Sequence, residues 1–515
     1  MTTLMTMEHR TPAEVANYDR RWWILGVLGI AQFMVILDST IVNIALPSAQ
    51  SDLNFSTADR QWIVTAYSLA FGSLLLLGGR IGDVVGRKRA LVIGLIGFAI
   101  ASAIGGASVD FPMLVIARTI QGAFGALLAP SVLALLTTTF TDVNERGRAF
   151  AIYGAIAGAG GALGLLLGGV LTSYASWRWT LFVNLAFAGA ATVGSFLWLK
   201  TDNGADHDPI DLPGLFLVAS GLFSFVFGFS HAETAGWSDP VTIGCLSAGV
   251  VLLSAFVYVE AKIKFPILPL RIVLSRTRGG SLLATLFASV GLFGVFLFLT
   301  YYLQETLNFS PVKTGVAFLP MVVMLAATAQ VSNRILLPRV GPKPIVPLGL
   351  LVCASALFGL HYVELQSSYF THVLPYLIVL GVGLGLSVSP SFSAGTLGLA
   401  AGDAGVGSAA LNTAQQVGGS IGTALLNTLA ASASASYLMS RVKTPVTLED
   451  AQLHSYTTAF LWSSLIFVIG AVVAGFVLQL GNLSALTSGN TIGRLTPTSE
   501  KTPHSRLHRV RIGCR

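Results

Sequence analysis

The chain has 515 residues, 53% of them hydrophobic and 10% charged, with a mean hydropathy of +0.74. A water-soluble core of that composition would leave more apolar surface than its charges can cover, so lipid is the implied solvent and a soluble multidomain architecture is excluded. The net charge of +7 and the tail arginines Arg506, Arg509, Arg511 and Arg515 suit a segment held near anionic lipid, and no nucleic-acid partner is expected.

Apolar runs of about 18 to 25 residues recur along the chain, each long enough to cross ~30 Å of hydrocarbon as a helix. Barrel strands would be shorter and alternating, so the expected class is an all-α polytopic membrane protein. The first run, Trp22–Leu46, has no small-residue cleavage site and reads as a retained span. It holds Asp38 in the stretch LDSTIVNIALP. A carboxylate in hydrocarbon needs a wet cavity, a partner or a proton. Burial favours the neutral form, which suits a reversible proton carrier; a structural carboxylate bonded to a neighbouring helix is the alternative. Asn43 suits either interhelical bonding or cavity lining.

The second and third spans, Trp62–Gly79 and Ala90–Ala107, are joined by GRIGDVVGRKRAL. Basic residues there mark topology, but Asp83 among Gly79, Gly86, Arg87 and Lys88 suggests a charged latch at a helix end. The fourth span, Phe111–Leu136, contains Arg118, which stays charged when buried and needs acceptors. Its roles could be pairing with a carboxylate, polarising a proton site or holding a neighbouring backbone. Gln121, three residues on, shares its helix face. In the fifth span, Ala151–Leu171, Gly160, Gly164 and Gly168 recur every four residues, with Gly161 beside them, as a ridge for close helix approach.

The sixth to eighth spans are Trp179–Leu199, Leu212–Phe229 and Val241–Val259. The ninth to twelfth are Gly280–Leu303, Gly315–Val331, Ile345–Val363 and Val373–Phe392, where Phe293, Phe296 and Phe298 read as packing or lipid-facing residues. The thirteenth, Val406–Ala430, carries Asn412, Gln415 and Gln416, amides that would either bind substrate or join helices. The fourteenth is Ala459–Leu480. Cys245, Cys353 and Cys514 have no metal-site spacing, no metal is expected, and no Walker loop is present for ATP.

Alternating the loops of fourteen spans places 24 of the 30 Lys and Arg residues on the side of both termini, 5 on the other, and Arg118 within a span. The positive-inside rule makes the termini cytoplasmic and the span number even. The eight tryptophans sit near span ends, as an interfacial belt does.

The chain also echoes itself. Gly125, Pro130 and Ser131 of the fourth span match Gly385, Pro390 and Ser391 of the twelfth; Gly160, Gly161 and Gly164 match Gly418, Gly419 and Gly422; Arg80 with Gly86 and Lys88 has a counterpart in Arg334 with Gly341 and Lys343. Each echo lies eight spans later. The expected organisation is a cytoplasmic segment 1–21, a six-helix bundle 22–200, two inserted helices within 201–279, a second bundle 280–480 and a basic tail 481–515. Such halves suit a transporter that rocks about a central site.

These runs resemble the major facilitator superfamily, in particular its fourteen-helix drug:proton antiporters. LDSTIVNIALP is similar to that branch's first-helix signature, GRIGDVVGRKR to the superfamily's cytoplasmic loop, RTIQGAFGA to the fourth-helix signature, WRWTLFVN to the sixth-helix start and LNTAQQVGGSIG to the thirteenth helix. The chain departs from the family pattern at Gly164-Leu165, where Gly-Pro is usual, and at Ala186, where proline is usual. The resemblance implies proton or substrate binding at Asp38, proton coupling at Arg118, a conformational latch at Asp83 with Arg87, and a place for Asn184 near the cavity. It implies a monomeric exporter in a bacterial inner membrane, energised by the proton gradient without a cofactor. Its partners would be protons, membrane lipids and a small hydrophobic drug or natural product. Proton-coupled uptake on the same fold and a non-transporting sensor or scaffold are the alternative readings, and no enzyme site is visible.

Overall fold

A computed structural model describes residues 20–56, 59–140, 142–200, 211–263, 266–396, 404–439, 441–442 and 444–479. The N-terminal segment before these residues, the basic tail and the side chains of Asp83 and Phe293 lie outside them. The first eight long helices are α1 (Arg21–Leu53), α2 (Arg60–Val85), α3 (Arg87–Gly106), α4 (Phe111–Thr139), α5 (Val143–Tyr174), α6 (Trp179–Trp198), α7 (Leu212–Ala235) and α8 (Pro240–Glu260). Six follow: α9 (Arg276–Tyr301, prolonged by a π turn Tyr302–Thr306), α10 (Pro311–Val331), α11 (Pro342–Leu360), α12 (Leu374–Thr396, preceded by a π turn Tyr369–Val373), α13 (Ala404–Met439) and α14 (Pro445–Val477). Among the described residues twelve are long and apolar enough to cross a membrane. The other two, α5 and α13, are 32 and 36 residues long and carry the glycine ridges.

Helix starts follow local chemistry. Asp110 accepts a hydrogen bond from the Met113 N–H at 2.8 Å, Asp239 from the Val241 N–H at 2.9 Å, and Ser310 from the Lys313 N–H at 3.3 Å, each beside a proline in the first turn. Thr444 and Thr447 form a capping box that starts α14 well before Ala459, because hydropathy marks only the lipid-crossing part of a helix. The supposed loop from Gly79 to Leu91 is corrected to helix on both sides of a one-residue break. Gly86, at φ 99°, ends α2 and begins α3, and its counterpart Gly341, at φ 75°, precedes α11.

The two halves are assembled alike. In the first, α1 packs on α4, α5 and α6, α3 on α4 and α6, and α2 on α4; in the second, α9 packs on α12, α13 and α14, α11 on α12 and α14, and α10 on α12. Glycines make the equivalent joints. Gly164 packs on the Leu37 carbonyl of α1, and Gly422 on the Val290 carbonyl of α9. Gly122 packs on the Tyr67 carbonyl of α2, and Gly381 on the Met321 carbonyl of α10. The ridge holds for Gly160, Gly164 and Gly168, which face Ile36, Thr40 and Ile41 of α1. Gly161 is corrected out of it: nothing lies within 4 Å of where its Cβ would be, since a residue next along a helix points about 100° away.

An even number of crossings puts both ends of the bundle's chain on one side, the terminal end. At the opposite, distal end the halves share a core, in which Leu37, Ala45, Ile63, Leu114 and Leu165 join Val290, Leu297, Phe318, Leu357 and Phe460. At the terminal end the first half keeps its own cluster around Leu28, Leu75, Leu95 and Leu136. The inserted α7 lies against α2 and α13, filling their groove with Val218, Leu222 and Val226 against Leu69, Leu76 and Val417. Phe296 and Phe298 pack into the shared core rather than facing lipid.

Candidate functional site

Five helices of the first half converge on one carboxylate. Asp38 of α1 is wholly buried, which no carboxylate tolerates without partners. Its Oδ2 accepts a hydrogen bond from Arg118 Nη1 of α4 at 2.7 Å, and its Oδ1 accepts from Gln121 Nε2 at 2.7 Å and from Asn184 Nδ2 of α6 at 2.8 Å. Arg118 also donates to Gln121 Oε1 at 2.6 Å, which fixes the amide so that its NH2 faces the carboxylate. Spacing of three along α4 puts both side chains on one face.

Two helices complete the network. Ser102 Oγ of α3 accepts from Gln121 Nε2 at 2.7 Å and from Asn184 Nδ2 at 3.3 Å. From α2, the Ile63 carbonyl accepts from Arg118 Nε at 3.3 Å, and the Tyr67 ring lies 4.3 Å beneath the guanidinium. The charge is therefore matched: one cation and two amide donors meet the carboxylate, and Arg118 has acceptors and an aromatic face. A small cavity adjoins Arg118 on its distal side, lined by Val42, Ala45, Leu114, Trp177 and Leu181.

Of the residues singled out in the sequence, the structure brings Asp38, Arg118, Gln121 and Asn184 together. Asn43 is buried but donates to the Ser39 carbonyl of its own helix at 3.3 Å, facing away from Asp38. Asn412 likewise donates to the Ser408 carbonyl at 3.0 Å. Gln415 and Gln416 are half-buried on α13, with Gln416 opposite Gly72 of α2, and none of the three amides joins the Asp38 network. Around the latch motif, Gly79 faces Pro130 of α4, and Lys88 Nζ donates to the Leu199 carbonyl at the end of α6, all within the first half. Arg87 is also engaged. Ser102 and Tyr67 were not legible: a serine in an apolar helix ordinarily bonds its own backbone, and a tyrosine near a span end reads as an interfacial residue.

The Major Facilitator Superfamily profile matches residues 28–423. The puromycin resistance protein pur8 of Streptomyces alboniger is 44% identical over 473 residues, covering 92% of this chain and 94% of the relative. The tetracenomycin C resistance and export protein of Streptomyces glaucescens is 35% identical over 438 residues, covering 83% of this chain and 80% of the relative. Among solved structures, a bacterial homologue of the human lysosomal transporter Spinster, inward-facing and unoccupied, matches with a TM-score of 0.62 at 14% identity, covering 91% of this chain and 97% of that one. At that identity the likeness concerns the fold.

Proposed function

The chain belongs to the major facilitator superfamily, and we propose that it is a secondary active exporter that moves a small amphipathic antibiotic or related natural product out of the cytoplasm in exchange for protons. The resistance and export roles in its relatives' names support the direction and the substrate class. The observation that carries the coupling mechanism is the wholly buried Asp38 network.

A proton arriving at Asp38 removes the charge that holds Arg118 of α4 and weakens the acceptor on which Gln121 and Asn184 converge. The grip of α1 on α4 and α6 then loosens, while the Ile63 carbonyl and the Tyr67 ring retain Arg118 against α2. Proton loss restores the grip. One charge moved across 100 mV represents ~2.3 kcal/mol, enough to drive such a change in packing. The excess of Lys and Arg at the terminal end supports a cytoplasmic location for that end in a bacterial inner membrane. The core shared across the halves at the distal end then corresponds to a state closed to the outside.

The test is substrate-induced proton movement in inverted vesicles, with puromycin and tetracenomycin C as probes, alongside resistance of intact cells. Asp38→Asn is expected to abolish both at unchanged protein abundance. Wild-type proton-coupled export by Asp38→Asn overturns the proposal.

A further inference from the structure

A second ionisable centre lies at the distal end, between the halves and outside the Asp38 network. Arg60, the first residue of α2, is only 7% exposed, and its Nη2 lies 2.6 Å from Oε1 of Glu305 in the π turn that prolongs α9. The Tyr301 ring lies 4.4 Å from the guanidinium carbon. The other carboxylate oxygen, Oε2, accepts from Gln452 Nε2 at 2.6 Å and from Tyr456 OH at 2.8 Å, both on α14. A neighbouring bond crosses in the same place, Gln304 Nε2 donating to the Ile44 carbonyl of α1 at 3.3 Å.

We infer that Glu305 is a second proton-binding site, whose ionised form locks the distal ends of the halves together and whose protonation from the distal solution releases them. The division of partners carries the argument. The α14 donors belong to the same half as Glu305, so they hold the carboxyl in place whether the halves are joined or apart. Among the described residues, Arg60 brings the charge from the other half. When Glu305 takes a proton, the buried guanidinium loses its counter-charge and keeps only the Tyr301 face, and separation lets it regain water. The proton enters from the distal solution and returns there when the lock re-forms. Titratable groups facing Glu305 are Arg60 from α2, Tyr301 from α9 and Tyr456 from α14. On α10, which packs on the same turn, Lys313 lies over the Phe309 ring.

This inference rests on the proton-antiport reading in one respect: the distal end must face the acidic side. The lock is tested by spin-label distances between Val109→Cys and Phe370→Cys, positions 78% and 73% exposed at the distal ends of the two halves. Cys245, Cys353 and Cys514 are replaced beforehand. Acidification is expected to shift the protein from a short to a long distal distance. Glu305→Gln and Arg60→Gln should each show the long distance at all pH values, whereas Asp38→Asn should keep the pH-dependent shift. A wild-type pH response in Glu305→Gln, its absence in the unsubstituted protein, or its loss in Asp38→Asn overturns the lock. Wild-type export by Asp38→Asn, with the lock responses as expected, removes the antiport reading alone.

Discussion

The two halves of this transporter share one helix arrangement and differ in what fills it. Gly164 packs on the carbonyl of Leu37 and Gly422 on that of Val290, so the next residues, Asp38 and Gly291, occupy equivalent places. Gly122 and Gly381 bear the same relation to α2 and α10, one residue out of register with the Gly125–Gly385 echo, which makes Leu377 the counterpart of Arg118 and Leu380 that of Gln121 at this joint. In the second half the Phe467 ring is pressed against Gly291, where the carboxylate would stand, and Leu377 and Leu380 are buried in the same apolar core. One interior is thus a matched charge network and the other an ordinary apolar core. Duplicated architecture has kept the glycine joints in both halves and placed the ionisable chemistry of the interior in one. The first half buries an ion pair at its centre; among the described residues the corresponding place in the second half holds no charged side chain, only the buried Cys353 thiol against the Leu380 carbonyl.

The largest effect that separates the halves is expected from charge removal. Arg118→Met leaves Asp38 buried without its cation and should cost about 3–5 kcal/mol, or force Asp38 to remain protonated, with loss of transport either way. The equivalent Leu377→Met should cost less than about 1.5 kcal/mol. Thermal unfolding in detergent and vesicle transport measure both, and equal losses would show that the first half's network is not what distinguishes it.

The glycine joints sharpen the shared part of the comparison. A methyl group at Gly422 would overlap the Val290 carbonyl, and one at Gly164 would meet the movable Thr40 hydroxyl and lie 3.0 Å from the Leu37 carbonyl. Gly422→Ala is therefore expected to destabilise by about 1–3 kcal/mol, Gly164→Ala by somewhat less, and Gly161→Ala by within about 0.5 kcal/mol of zero. The same unfolding measurements rank them. Within the charge network itself the smallest effect should come from Ser102→Ala, which removes an acceptor shared by Gln121 and Asn184 while leaving Asp38 Oδ1 to both donors. A loss of about 1 kcal/mol is expected, with transport retained.

Several features were legible in the sequence because each depends on composition or spacing along one helix. Apolar run length and the asymmetry of Lys and Arg set the crossings, and the glycine echoes divided them into six, two and six. Asp38 and Arg118 stood out because ionisable groups within hydrocarbon are costly. Asn43 looked as good a cavity residue as Gln121, yet its side chain bonds its own helix, and the choice depends on which face α1 turns toward α4. The stretch after Gly79 reads as a loop because the apolar run stops there, whereas the helix continues and only Gly86 breaks it.

What the sequence by itself determined is therefore the membrane class, the fourteen-helix repeat and the identity of the costly charges, all consequences of transfer energies and periodicity. Tertiary structure alone decided their partners. Arg118 reaches Asp38 only because α1 and α4 pack together, Ser102 enters the network only from α3, and Arg60 and Glu305, each readable as a charge near a span end, become a pair because the two halves meet at the distal end. A short-range interaction between residues 80 or 245 positions apart leaves no local pattern in a chain; the packing of helices creates it.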